Sequence, residues 1–560
     1  MTVTAFLAGR GFAAGVTDRR KVDVCIYGGT SGGVTATATL ARLGRSVLLI
    51  EPTRHLGGMT SGGLGWIDYG KPAAIGGLTK QFFDDIRAYY AAQKISSNGW
   101  SVEPHVAEEF FEKLIAKYKV EVVREARLSA VKTRHRRIQS ITLDQAPVDS
   151  HGAPVGEPQE KSFLQVEAAV FIDCSYEGDL LASAGVSYRT DREGADEFKE
   201  SFAGVSYAAP DTGVAGDHTK AARKTLRIDP YRRAGDAGSG LLPFVSGGRL
   251  PRAGRHDSAI QAFNFRLCLT KNDPLPIQAP ANYDPMTYEI VRRYIDALES
   301  VQEPLLPGDL YFNLGGKLPY PQPRLLKITG LMRGKTDVNS GSGGISMDFV
   351  NGGADRYANA SWAERAKIWR AHEDYQRGYF YFLRSDPRLP EWLAKEITSW
   401  GLAKDEFTDS GGWPPQLYVR EARRMVGSFV IHQNFCEHPE SREDSVGMGS
   451  YALDSHICRR VARDGAMIHE GGFYHGLAKP YPIPFGTIVP REDQCENLLV
   501  TFCVSSTHVA FASVRMEPPF MILGESAALA ADQALQDGVS IQRVNISRLR
   551  ARLLDAGQIL

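Results

Sequence analysis

The chain has 560 residues, 43% of them hydrophobic and 23% charged, and its 65 basic and 65 acidic residues cancel. That length exceeds what one hydrophobic core usually serves, so two or more packed regions are expected. The balanced charge supplies no field to draw in nucleic acid or anionic lipid, and no apolar run reaches the ~18 residues that a membrane-spanning helix needs.

Residues 1–20 read as a flexible leader, because the apolar MTVTAFLAGRGFAAGV lacks a basic start and Arg19, Arg20 and Lys21 follow it, the wrong order for a secretory signal. Next come a buried strand (Val22–Tyr27), a glycine turn (Gly28–Gly33), a helix (Val34–Leu43) and a second strand (Ser46–Ile50) that ends in Glu51. Gly28, Gly29, Gly32 and Gly33 let the backbone approach a pyrophosphate, whose charge then rests on the N–H groups and positive end of the helix. Ser31 sits in the same turn, and Thr30 stands where the strict G-x-G-x-x-G pattern has glycine, so its Cβ shifts the phosphate or its hydroxyl reaches it. Glu51 lies 23 residues after Gly28, the place of an acid that accepts hydrogen bonds from a ribose. The segment GGMTSGGLGWIDYG that begins at Gly57 can lay backbone against a flat ring.

Helical patterns follow at Gly76–Gln93 and Glu103–Lys119, then a short strand, Val120–Val123. Alternation over Leu128–Leu143 about the tip His135-Arg136-Arg137 predicts a β-hairpin, and a further strand, Phe163–Ile172, closes in DCSYEGD. A meander inserted between the helical part and a strand with a small-residue end is the layout of FAD-binding domains, whereas NAD domains run on as βαβ repeats. From about Ser187 to Pro480 the chain turns to loops dense in Gly, Pro, Arg and Tyr, with helical patterns at Tyr288–Ser300 and Trp362–Leu383; the second carries an aromatic row expected in the core. An apolar strand, Leu498–Val504, and a small-residue helix, Phe520–Leu535, return the chain to the first domain. The expected fold is therefore α/β: a discontinuous Rossmann-like FAD-binding domain (21–186 and 490–545) with a large inserted α+β substrate domain (187–489).

Seven cysteines (Cys25, Cys174, Cys268, Cys436, Cys458, Cys495 and Cys503) occur without a C-x-x-C pair. This argues against an iron–sulfur cluster, a structural zinc and a redox disulfide, and fits small buried hydrophobes in a reducing, cytoplasmic setting. His432, His438, His456, His469 and His475 show no paired spacing on a clear helix, so no metal site is assigned.

Taken together, YGGTSGGVTAT (27–37), EPTRHLGGMTSGGLG (51–65), DCSYEGDLLASAGV (173–186), QAFNFRLCLT (261–270), YVREARRMVG (418–427), DSVGMGSYALDSH (444–456) and ENLLVTFCVSSTHVAFASVRMEPPFMILGESAALAA (496–531) resemble a bacterial family of FAD-dependent oxidoreductases in the glutathione-reductase-type FAD superfamily. The resemblance implies noncovalent FAD with its pyrophosphate at Gly28–Gly33 and its ribose at Glu51. It implies a flavin near Gly57, Gly58, Met59, Ser61 and Gly62 and the start of the helix that holds Gly524. Asp173 and Asp179 resemble positions near the phosphate and ribityl side, and Thr30 a variation the family tolerates. A covalent flavin on His55, as in succinate dehydrogenase and fumarate reductase flavoproteins, is disfavoured because the spacing to the glycine pair differs by one.

Oxidising a C–H beside oxygen or nitrogen requires a group to take the O–H or N–H proton, and His508 is the best-placed histidine. Arg515 is positioned to hold a carboxylate or stabilise a reduced flavin, or else to form a buried pair with Glu517. Asn264, Arg266 and Arg420 are candidate substrate contacts, with Arg420, Arg423 and Arg424 on one helical flank. The expected activity is hydride transfer from a small polar substrate (a sugar, hydroxy acid or amine) to the flavin, with reoxidation by oxygen or an electron carrier. The alternatives are a flavin hydroxylase or reductase fed by external NAD(P)H, and a non-redox dinucleotide-binding scaffold or sensor.

Overall fold

The computed structural model describes residues 18–207, 226–248, 251–312, 324–341 and 345–560. Strand β1 (Asp18–Tyr27), helix α1 (Ser31–Arg42) and strand β2 (Val47–Glu51) form the opening unit. The leader expected over 1–20 is shortened, since Asp18, Arg19 and Arg20 pair with Leu164, Gln165 and Val166; the rest of it lies outside the described residues. Helices α2 (Gly77–Ala92) and α3 (Pro104–Tyr118), strand β3 (Glu121–Arg124), the hairpin β4 (Ala126–Arg134) and β5 (Arg137–Gln145), and strand β6 (Glu160–Asp173) follow.

The sheet runs β3-β2-β1-β6-β5-β4, and a sequence-remote strand, β7 (Leu498–Val500), also pairs with β6. The 14 residues of β6 account for this double pairing: Glu160–Glu167 pair with β5, while Phe171–Asp173 pair in parallel with Leu498–Val500. The parallel strands β1, β2, β6 and β7 end in apolar runs (VCIY, VLLI, VFI and LLV) that are buried, as strands covered on both faces must be. Strand β7 is shorter than the stretch Leu498–Val504 suggests, because beyond Val500 the chain bonds once more to the end of β6 (Thr501 N to Asp173 O) and then to Met425.

Past the sheet lie the short helix α4 (Asp179–Ser183), the long helix α5 (Trp362–Ser385), and then α6 (His508–Val514) and α7 (Glu517–Asp537). A second sheet contains Tyr311–Phe312, Leu326–Gly330, Lys335–Ser340, Leu267–Thr270 and Gly401–Leu402 in that order. Trp369, Tyr379, Phe380 and Phe382 of α5 are buried as expected of a core face. The segment holding Arg420, Arg423 and Arg424 is not a helix. Its backbone bonds go to remote chain, Tyr418 N to Asn264 O and Met425 N to Cys503 O, so no common flank forms. Among the described residues no helix is long and apolar enough to cross a membrane, and all seven cysteines are free and buried.

Candidate active site

The carboxyl ends of β1, β2 and β6 open on a cleft lined by Gly28, Thr30, Glu51, His55, Glu177 and Asp179, with Trp362 and Trp369 of α5 as a wall. It encloses about 820 Å³, part of it open to solvent. Such a crevice beyond parallel strand ends is where open α/β sheets bind ligands.

The turn that begins the cleft is built to tight tolerance. Gly28 has φ +100°, and a Cβ on Gly33 would lie 1.9 Å from Gly28 O. Thr30 fits without glycine because its backbone is ordinary (φ −64°, ψ 175°) and it serves as the N-cap of α1. Its hydroxyl donates to Cys174 O at 2.8 Å and accepts from Gly33 N at 3.3 Å, so it is engaged with the protein and is not turned to a phosphate. Glu51 Oε2 accepts from Gly29 N at 2.6 Å and Oε1 from Thr53 N at 2.7 Å. That carboxylate ties the turn to β2 and keeps lone pairs for a further donor; burial raises its pKa against the pull of Thr53, Gly29 and His55.

In the glycine-rich extension, Met59 N donates to Tyr176 OH at 2.7 Å, and Ser61 Oγ turns inward to Leu56 O. Gly57 and Gly58 pack on Phe111 and Tyr176, and Gly62 and Gly63 on Gln416 and Arg266. Asp173 caps the following turn, accepting from Ser175 N, Ser175 Oγ and Leu181 N, and burial pushes it up to about 6. Asp179 is bound by Arg365 at 2.6 and 2.7 Å and by Arg423 at 2.8 Å; burial opposes its charge, but these two cations hold it below the usual carboxylate range. Gly524 faces Gly32 O across the α1–α7 contact.

Glu517, which the sequence offered only as an alternative partner for Arg515, has a different place. Its carboxylate reaches the first residue of α1, accepting from Ser31 Oγ at 2.6 Å, Thr60 Oγ1 at 2.7 Å and Tyr176 OH at 3.0 Å. The anticipated Arg515–Glu517 pair therefore does not form. Those three hydroxyls are spent on Glu517, so what faces a pyrophosphate is the backbone of the turn at the N-terminus of α1, where Gly28 and Thr30 line the cleft, and that backbone cradle fits FAD.

His508 opens α6 and is 2% exposed. Its Nδ1 lies 2.8 and 3.0 Å from the two oxygens of Glu421, its backbone N donates to Glu193 at 2.8 Å, and Nε2 has no partner. Glu421 is fully buried and also meets Arg424 at 3.0 Å. Burial alone would raise its pKa, but His508 and Arg424 hold it down. As the acid between the arginines of VREARR, Glu421 was visible in the sequence, yet only folding brings it to a histidine 87 residues away.

The substrate candidates are each bonded to partners other than His508. Asn264 Nδ2 donates to Asn339 at 3.0 Å, Arg266 is paired with Asp337, and Arg420 lies 3.0 Å from Asp348, which also holds His456. Arg266 and Arg420 flank the ring of Tyr418 at 5.5 and 4.9 Å. His55 has both ring nitrogens engaged, with Glu108 at 2.8 Å and Asp409 at 3.2 Å, at the Glu51 end of the cleft. Elsewhere Glu103, His105 and Glu406 converge with metal-like spacing, but the Lys335 ammonium lies 3.0 Å from Glu103 and 2.6 Å from Glu406, supplying the cation itself.

A family model described as FAD dependent oxidoreductase matches residues 23–553. The chain belongs to the FAD-dependent oxidoreductase family. It is accordingly an enzyme whose cofactor is FAD. No curated protein matches it. Similar solved structures include the OxyS anhydrotetracycline hydroxylase from Streptomyces rimosus, at 14% identity and TM-score 0.21 over 31% of this chain and 38% of that one. A flavoprotein/dehydrogenase from Cytophaga hutchinsonii matches at 17% identity and TM-score 0.21 over 31% of this chain and 44% of its own. The L-proline dehydrogenase from P. horikoshii matches at 14% and TM-score 0.18, over 34% of this chain and 27% of its own. The matches thus span less than half of each of those proteins.

Proposed function

We propose that this enzyme, of the glutathione-reductase-type FAD superfamily, removes a hydride from a small polar substrate, using a discontinuous FAD-binding domain (21–186 and 490–545) and an inserted substrate domain (187–489). The parallel pairing of β7 with β6 supports the discontinuous domain. FAD, when bound, takes the hydride and passes its electrons to oxygen or a carrier. The backbone of Gly28–Gly33 would hold its pyrophosphate, Glu51 its ribose, and the extension Gly57–Gly63 its ring.

The observation that carries the reading is the buried His508–Glu421 pair with its unpartnered Nε2. A carboxylate on Nδ1 fixes the tautomer that leaves Nε2 as acceptor and stabilises the cation formed when Nε2 takes a proton. As the substrate C–H hydride leaves, the neighbouring O–H or N–H proton goes to Nε2, giving a carbonyl or imine. In the chain His508 stands between β7, which pairs with β6, and α7, whose Glu517 returns to Ser31. The test is an anaerobic screen of alcohols, hydroxy acids and amines for loss of flavin absorbance. If NADPH bleaches the flavin and none of these compounds does, the reading fails in favour of a hydroxylase or reductase.

A further inference from the structure

Two arginines from separate parts of the chain lie over one phenol, and the charge of a third acts on it. Arg266 and Arg420 lie over the ring of Tyr418, and Arg515 is the foremost of three cations that ease ionisation of its hydroxyl, which burial otherwise opposes. All four side chains are buried: Arg266 is 4% exposed, Arg420 1%, Arg515 5% and Tyr418 5%. Two of the positive charges are answered within the protein, Arg266 by Asp337 and Arg420 by Asp348.

Arg515 differs. Its Nη2 donates to the Asp454 carbonyl oxygen at 2.8 Å, its Nε has no partner, and among the described residues it forms no ion pair. Asp68 also faces Tyr418 and Arg266, but it accepts from Tyr451 OH at 3.1 Å and does not pair with Arg515. Glu517, two residues on, is turned away to Ser31 and Thr60. A buried guanidinium without an anion is costly, because desolvation is not offset by a Coulombic partner. Crowding shows in Arg420 too: burial, together with Arg515 and Arg266, lowers its pKa despite Asp348. Arg420 Nε and Asn264 Oδ1 are also unpartnered and buried, so polar capacity is left open on this side of Tyr418.

We propose that Arg515 binds a carboxylate of the substrate, beside Tyr418 and Arg420, so that the enzyme oxidises a small organic acid with a hydroxyl or amino group. This rests on the reading that hydride transfer occurs between the flavin and the His508 side. The planar fork of arginine matches a carboxylate with two parallel hydrogen bonds. With Arg266 and Arg420 already neutralised, one positive charge is left over, which selects monocarboxylates over dicarboxylates.

The experiment titrates the yellow holoenzyme with acetate, glycolate and benzoate, each against its neutral amide, and with malonate, reading the flavin difference spectrum. At least one monocarboxylate should bind saturably, its amide should not, and malonate should bind more weakly. Arg515→Gln should keep its FAD and weaken that binding tenfold or more, while Arg515→Lys should retain part of it. The proposal is overturned if no carboxylate perturbs the wild-type flavin, or if Arg515→Gln binds them as the parent does. It is equally overturned if that variant shifts only the flavin midpoint potential. Should Arg515→Gln fail to fold, Arg515→Lys binding carboxylates and amides alike would sink the idea. A protein that takes up no flavin fails the reading above before any acid is added, so the two failures are distinct.

Discussion

Replacing Gly524 by alanine tests whether α7 sets the geometry of the cofactor turn. A Cβ at 524 would lie 2.2 Å from Gly32 O, 2.9 Å from Gly32 C and 3.0 Å from Thr35 Oγ1. Relief to ordinary contact near 3.5 Å means parting α1 from α7 by about an ångström. Both helices are buried along this contact, so the overpacking costs about 1–3 kcal/mol. In a chain this large that lowers the melting temperature by only a few degrees. The larger effect is on the ligand. Gly32 is in the first turn of α1, directly after the cofactor turn, and a displacement of about 1 Å in positioning groups costs roughly 10²-fold where geometry matters. We expect FAD affinity to fall by about tenfold or more, measured by titrating flavin-free protein and following quenching of flavin fluorescence. Gly476→Ala serves as the control, since a Cβ there meets nothing within 4 Å. If Gly524→Ala bound FAD within twofold of the parent and melted within a degree of it, the claim that the α1–α7 contact fixes the turn would be refuted.

His508→Ala should slow anaerobic flavin reduction by roughly 10² or more, and an unchanged rate excludes it as the base. Glu421→Gln removes the charged partner of Nδ1; at about 1.5–3 kcal/mol for such a hydrogen bond the rate should drop by roughly 10- to 100-fold, and a rate equal to the parent's would deny Glu421 its orienting role. Acid precipitation should leave the yellow colour in the supernatant, because both nitrogens of His55 are engaged with carboxylates; colour in the pellet would show a covalent bond. His469 is buried without a partner on either nitrogen, and burial, with Arg460 adding to it, depresses its pKa to about 3. It is neutral in both states above about pH 6.5 and costs stability as pH falls from there, because only the unfolded chain then takes the proton, about 2 kcal/mol by pH 5. His469→Leu should lose that much less than the parent between pH 7.5 and pH 5 in urea unfolding, and equal losses would contradict the assignment.

Local signals carried much of the fold. The hairpin tip at His135 and Arg136 and helices α2, α3 and α5 stand within a residue or two of where periodicity puts them, whereas the glycine turn is shorter than Gly28–Gly33, because Thr30 caps α1 and the helix begins at Ser31 instead of Val34. The helical flank of Arg420, Arg423 and Arg424 was misjudged because three- and four-residue spacing of charges imitates a helix when the backbone is in fact bonded to distant strands. Their separate partners, Asp348, Asp179 and Glu193, could not be read from a local pattern.

By itself the sequence determined that a strand, a glycine turn and a helix open the chain, that Glu51 closes the second strand, and that FAD is the cofactor such a layout takes. Those features depend on neighbours a few residues apart. Which polar groups are answered and which are left open was decided only by tertiary structure. Glu517 turns from Arg515 to Ser31, Glu421 comes to His508, and Arg515 is left buried beside Tyr418 without a carboxylate. A buried charge is satisfied by whatever the fold brings within about 3 Å of it, and that distance bears no relation to separation along the chain.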